Sequence, residues 1–168
     1  HWRARGVDEP AGAMLEVPGA TVLAYRWDWD EEPSALGVDV ARLLGAAHGL
    51  EIPFVFDHWD LGSQTSLLFT TANEPGRREL SSAMTAYWTS FAERGDPNGP
   101  RTSGMPRWET YDRDGRFLVL DTAAGGGIRT EHGRITAQEA IAGVLEDPSL
   151  ATPEEKGAAY RSFVRGAQ

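Results

Sequence analysis

Four histidines carry most of the proton-transfer chemistry open to this sequence near neutral pH, and one stands in unusual surroundings. His48 follows Ala46-Ala47 and precedes Gly49, so the backbone on both sides is uncrowded. The apolar run Ile52-Pro53-Phe54-Val55-Phe56 begins a few residues later. An imidazole on a tight loop beside an apolar wall suits general-base work, provided a second group holds the ring. A histidine that only shapes its loop fits the same residues. Glu51 is a candidate for a carboxylate acting behind His48. It either orients a neighbouring polar group or is buried and hydrogen-bonded within the loop, since an unpaired acid there would be costly to bury.

The other histidines say less. His58, in Phe56-Asp57-His58-Trp59, either lines a pocket or packs at the surface. His132 lies in a polar turn and is expected to be solvated, and no role can be read for His1. Phe54, Phe56, Trp59 and Phe69 form an aromatic set that either walls an apolar substrate pocket or packs an ordinary core.

Several chemistries have no footing. The chain has no cysteine, which removes a thiolate nucleophile, a disulfide framework and a Cys-type zinc site. No Gly-x-Ser-x-Gly elbow, P-loop or His-Glu-x-x-His occurs; Gly62-Ser63-Gln64-Thr65-Ser66 has the wrong order. Gly125-Gly126-Gly127 lacks the spacing of a dinucleotide loop and reads as a hinge or turn. A net charge of −9 argues against nucleic acid and anionic lipid as partners. No apolar run reaches the length of a membrane span. His1-Trp2-Arg3 does not read as a natural start, so targeting is left open between cytoplasmic and secreted.

The elements that must position these residues can be placed by pattern. Residues 1–16 read weakly as helical, interrupted near Pro10. Residues 20–29 carry β-branched and aromatic types and read as the best strand, suited to the inside of a sheet covered on both faces. Residues 77–94 form the clearest helix, with Leu80, Met84, Tyr87, Trp88 and Phe91 on one face, Asn73 as its cap and Gly95 as its stop. Residues 116–121 make a second strand after the Asp114-Gly115 turn, and Ile128–Thr130 a short segment. Thr136 caps a helix to about Leu145, and Thr152-Pro153-Glu154-Glu155 opens a last helix to about Arg165. Strands with intervening helices imply an α/β protein. Two or three strands make a poor independent sheet, so completion by polypeptide outside these residues is expected.

Two stretches resemble one family. Ala46-Ala47-His48-Gly49-Leu50-Glu51-Ile52-Pro53-Phe54-Val55-Phe56 is similar to the histidine-loop motif of type-B carboxylesterases, the cholinesterase and para-nitrobenzyl-esterase family. Ala83-Met84-Thr85-Ala86-Tyr87-Trp88-Thr89-Ser90-Phe91-Ala92, followed by Gly95-Asp96-Pro97-Asn98-Gly99-Pro100, resembles that family's helix-and-loop signature. Trp108, Tyr111-Asp112, Leu120-Asp121 and the segment Val22 to Trp27 sit where the family has them. The resemblance is strongest over residues 20–122 and weak beyond about 131.

The resemblance implies that residues 1–168 are the C-terminal segment of a single α/β-hydrolase domain. The sheet would be completed by an N-terminal part outside the chain. It implies a carboxylic ester hydrolase with a Ser, His and Glu or Asp triad, in which His48 is the histidine. Because such folds order the triad as serine, acid, histidine, both partners of His48 would precede this chain, along with the oxyanion-hole glycines. The expected substrate is a small ester whose apolar part lies near Phe54, Phe56 and Trp59. No metal and no organic cofactor is implied, and the chain alone is expected to be inactive. A non-catalytic adhesion or binding module on the same scaffold is the alternative, because fold does not fix function.

Overall fold

The structure is a computed structural model that describes residues 3–35 and 37–165. In chain order, a π-helical turn (Ala4–Asp8) runs into α1 (Glu9–Leu15). Strand β1 (Tyr25–Trp27) and the two-residue strands β2 (Ser34–Ala35) and β3 (Val38–Asp39) follow. Helices α2 (Val40–Leu44), α3 (Ile52–Phe56), α4 (Thr65–Leu68) and α5 (Glu74–Arg94) come next. Then come β4 (Phe117–Leu120), β5 (Arg129–Glu131), α6 (Ala137–Glu146) and α7 (Pro153–Arg165). The chain forms two compact units: residues 25–109 with 117–131, and residues 1–24 with 110–116 and 132–168.

The first of these units holds a mixed three-stranded sheet in the order β1–β4–β5. β1 runs parallel to β4, Tyr25 opposite Leu118 and Trp27 opposite Leu120, and β4 is antiparallel to β5. All four residues of β4 are buried, as befits a central strand covered on both faces. The strand expected over 20–29 is shorter than its composition suggested and lies at an edge of this sheet. Only Tyr25–Trp27 pair, with Leu118, Val119 and Leu120 of β4. Val22 and Ala24, whose apolar types extended the reading, are buried in the other unit, where the Val22 carbonyl accepts the Tyr111 N–H at 2.8 Å.

Helix α5 is the long scaffold. It begins three residues before the periodicity predicts, with Pro75 in its first turn where no intrahelical N–H is needed. It ends on Gly95 in the left-handed region, whose N–H reaches the Phe91 carbonyl at 2.7 Å. Leu80, Met84 and Tyr87 are buried as their spacing requires, whereas Phe91 in the last turn is half exposed. Asn73 stands at the cap position but makes no side-chain capping bond. Its Oδ1 instead accepts the Thr70 N–H and the Arg77 Nε–H, and its amide nitrogen donates to the carbonyls of Leu68 and Glu31 at 2.9 Å. Burial among these partners outweighs the local cap.

In the second unit the interruption expected near Pro10 takes the form of a change from π to α winding at Asp8. Thr136 and Glu139 form a reciprocal capping box at α6, and Thr152 with Glu155 does the same at α7. Among the described residues no helix is long and apolar enough to cross a membrane.

Candidate active site

His48 sits on the link between α2 and α3. Helix α2 ends at Gly45, and the chain then folds through successive turns in which Leu50 N–H meets the Ala47 carbonyl at 3.1 Å and Ile52 N–H the Gly49 carbonyl at 3.3 Å. Gly49 has φ of 92°, a conformation that a residue with a Cβ rarely adopts, so its glycine lets the turn reverse directly after His48. The His48 side chain is exposed. Glu51 Oε2 accepts the Gly49 N–H at 2.7 Å, so this carboxylate closes the turn that carries the histidine. Burial, and after it the charge on Glu51, holds the Tyr25 hydroxyl above the ordinary tyrosine value.

Helix α3 anchors the turn. Pro53 occupies its first turn, and Asp57 ends it in the left-handed region at φ 49°. Two side chains of α5 bind its last carbonyls: Ser81 Oγ donates to Phe54 O at 2.7 Å and Thr85 Oγ1 to Val55 O at 3.0 Å. These bonds satisfy acceptors that a five-residue helix cannot satisfy itself.

The three aromatics proposed for the substrate wall go to different places. Phe54 is fully buried, its ring 5.2 Å from those of Trp27 and Trp29 and 4.9 Å from Trp59. Phe56, by contrast, is 74% exposed. Trp59 is half-buried, edge-on to Phe69 at 5.0 Å, with the guanidinium of Arg77 4.8 Å from its ring centroid. Arg77 is itself buried, which lowers its pKa. Its guanidinium faces the rings of Trp59 and Phe69, while its Nε–H donates to Asn73 Oδ1. The sequence reading did not single it out; its place on the buried face of α5 is the signal that was available.

An open cleft of about 580 Å³ adjoins the His48 turn. Gly49 lines one side, and Leu50, Ile52, Pro53, Phe56 and Leu61 form an apolar wall. His58 and Gln64 are the polar side chains that line it. Of the predicted wall residues, Phe56 borders the cleft, while Phe54 and Trp59 are not among its lining residues. His132 is exposed on a different unit, and His1 lies outside the described residues.

The sequence profile of the Carboxylesterase family matches residues 13–136. Cocaine esterase from Homo sapiens is 31% identical over 119 residues, spanning 66% of this chain and 20% of its own. Acylcarnitine hydrolase from Mus musculus is 38% identical over 126 residues, spanning 75% of this chain and 21% of its own. The carboxylesterase EST55 of Geobacillus stearothermophilus superposes with a TM-score of 0.53 at 27% identity, covering 76% of this chain and 23% of that one.

The chain belongs to the carboxylesterase family and has the fold of part of an α/β-hydrolase. It spans about one fifth of the length of the relatives it matches.

Proposed function

We propose that this chain supplies the general base of a carboxylic ester hydrolase, and that the base is His48. Residues 1–168 are then one continuous portion of a single hydrolase domain. The serine nucleophile, the carboxylate that orients the imidazole and the oxyanion donors come from polypeptide of the same enzyme outside this chain. The observation that carries the reading is an exposed His48 on a turn closed by Glu51, whose next residues, Gly49 and Leu50, line an apolar cleft that His48 itself does not line. Family membership supports it.

His48 accepts the serine proton as the hydroxyl oxygen attacks the ester carbonyl, and the resulting imidazolium gives that proton to the departing alcohol. Water then repeats the cycle, and the acid is released with the serine restored. Glu51 acts on the backbone of the turn, not on the substrate. Phe56 and the aliphatic wall receive the apolar part of the ester, and Phe54 and Trp59 support that wall from behind.

The test is His48→Ala in the intact esterase, read by hydrolysis of a chromogenic ester alongside circular dichroism. A folded variant with turnover lowered by about 10²–10⁴-fold is expected. Turnover equal to the parent enzyme would remove His48 from the mechanism. A parent protein that cleaves no ester in any series would favour the binding-module alternative.

A further inference from the structure

Asn98-Gly99 is the only Asn-Gly pair in the sequence. Such a pair carries an intrinsic reaction. The glycine nitrogen attacks the carbonyl carbon of the asparagine side chain, and a C–N bond forms. The carboxamide nitrogen leaves as ammonia, taking the proton that the glycine nitrogen gives up, and a five-membered imide remains. Water then opens the imide to aspartate or to isoaspartate, whose backbone is longer by one carbon. Glycine is the favourable neighbour because no Cβ stands beside the attacking nitrogen.

Both reacting groups are tied down in the fold. The Gly99 N–H donates to Thr102 Oγ1 at 2.9 Å. The Asn98 carboxamide is fastened at both ends. Its Oδ1 accepts the Trp108 N–H at 2.8 Å, and its Nδ2 donates to the Trp108 carbonyl at 3.0 Å and to Asp96 Oδ1 at 2.9 Å. A side chain held in this way cannot turn its carbon toward the Gly99 nitrogen until those bonds open. Trp108 presents one donor and one acceptor, and a carboxamide meets both.

The product does not fit the same place. A carboxylate at position 98 puts an oxygen where Nδ2 stood, against the Trp108 carbonyl and the Asp96 carboxylate, with no hydrogen to share. The bonds are lost and two like charges are brought together. Trp108 is 6% exposed, and its ring centroid lies 6.0, 5.7 and 5.2 Å from those of Tyr25, Tyr87 and Trp88. We propose that Asn98 is a modification site gated by the fold. It stays an amide while the 96–108 loop is closed and deamidates when the loop opens. Once converted, it no longer holds Trp108 in its aromatic cluster. This chemistry is independent of His48.

The experiment incubates the full-length protein at mildly alkaline pH beside a synthetic peptide of residues 94–108. Mass spectrometry of the digest follows the exchange of the Asn98 amide nitrogen for oxygen. The peptide should react at least about tenfold faster than the folded protein, where local opening must come first. Thr102→Val frees the Gly99 N–H and should raise the rate in the folded protein several-fold. If that variant does not fold, the rate of the parent in urea below its unfolding transition takes its place and should rise likewise. Asn98→Asp, made directly, should unfold at lower urea than the parent and show altered tryptophan emission. Equal rates in peptide and folded protein overturn the gate, as does a folded-state rate that neither Thr102→Val nor urea changes. An Asn98→Asp variant with the stability and emission of the parent overturns the release of Trp108.

Discussion

Glu51 Oε2 accepts the Gly49 N–H at 2.7 Å, placing a carboxylate two residues from the glycine that follows His48. A charge-assisted bond of this kind is about twice as strong as a neutral one and fixes the turn on which the imidazole stands. On the function proposed above, Glu51 would act as a positioning residue for His48.

If His48 is the base proposed above, Glu51→Ala in the full-length protein is expected to lower kcat for ester hydrolysis by up to about 10²-fold, because a small displacement of a reacting group is enough for such a loss. Glu51→Gln keeps an acceptor for the Gly49 N–H and should recover most of the activity. Equal losses in the two variants would show that the hydrogen bond is not what matters.

Asp8 links distant parts of its unit. Its carboxylate accepts the Tyr111 hydroxyl at 2.8 Å, the Ile135 N–H at 3.0 Å and Arg3 Nε–H at 3.1 Å, while only 1% exposed. Asp8→Ala removes the acceptor that the Tyr111 hydroxyl and the Ile135 N–H use and should destabilise the protein by about 3 kcal/mol in urea unfolding. Tyr111→Phe, which removes one bond, should cost about 1 kcal/mol. The reverse ranking would contradict this account.

Alkaline pH bears on Tyr111 and, in the other unit, on Tyr87. Burial first, and the bond to Asp8 second, push the Tyr111 hydroxyl up to about 12, and burial alone pushes Tyr87 up to about 12. The Tyr87 hydroxyl donates to the Pro106 carbonyl. Both groups are neutral in the fold and have raised values. Their contribution is therefore present in full below the ordinary tyrosine value of about 10 and is lost as pH rises through about 12. Stability measured across that window should fall, with a shallower fall in Tyr111→Phe. A flat profile in the parent protein would remove both tyrosines from the balance.

Glu32 is 5% exposed, and among the described residues neither carboxylate oxygen has a hydrogen-bond partner. Desolvation raises its pKa above the ordinary glutamate value. The native state then binds the proton more tightly than the unfolded state, so this group loses stability as pH rises out of the acid range. Glu32→Gln should be more stable than the parent at neutral pH, and its advantage should vanish below the ordinary glutamate range. Destabilisation by this change at neutral pH would mean that the carboxylate has a partner worth keeping.

Gly115 marks a close approach. Its φ is 71°, and a Cβ built there would lie 2.6 Å from the Gly133 carbonyl oxygen, a backbone atom that cannot step aside alone. Gly115→Ala should lower stability by about 2 kcal/mol, read as a lower urea midpoint at unchanged slope. An unchanged midpoint would show that the turn can rearrange freely.

Much of this was legible in the sequence because it is local. The 3.6-residue spacing of Leu80, Met84 and Tyr87 marks α5, and Gly95 stops it, since both depend on backbone geometry within a few residues. The capping pair Thr136 and Glu139 is local in the same way. The motif around His48 was equally readable, and so was the family, to which residues 13–136 are matched.

What needed the tertiary structure was where each side chain of a motif ends up. Phe54 and Phe56 are two residues apart and of one type, yet one is fully buried and the other is 74% exposed. On a helix, positions two apart point to different faces, and only packing decides which face is covered. The reduction of the 20–29 strand to Tyr25–Trp27 was equally hidden, because its pairing partner β4 lies more than ninety residues further along the chain. Composition determines what a segment can form; partners remote in sequence determine how much of it forms and which residues face the cleft.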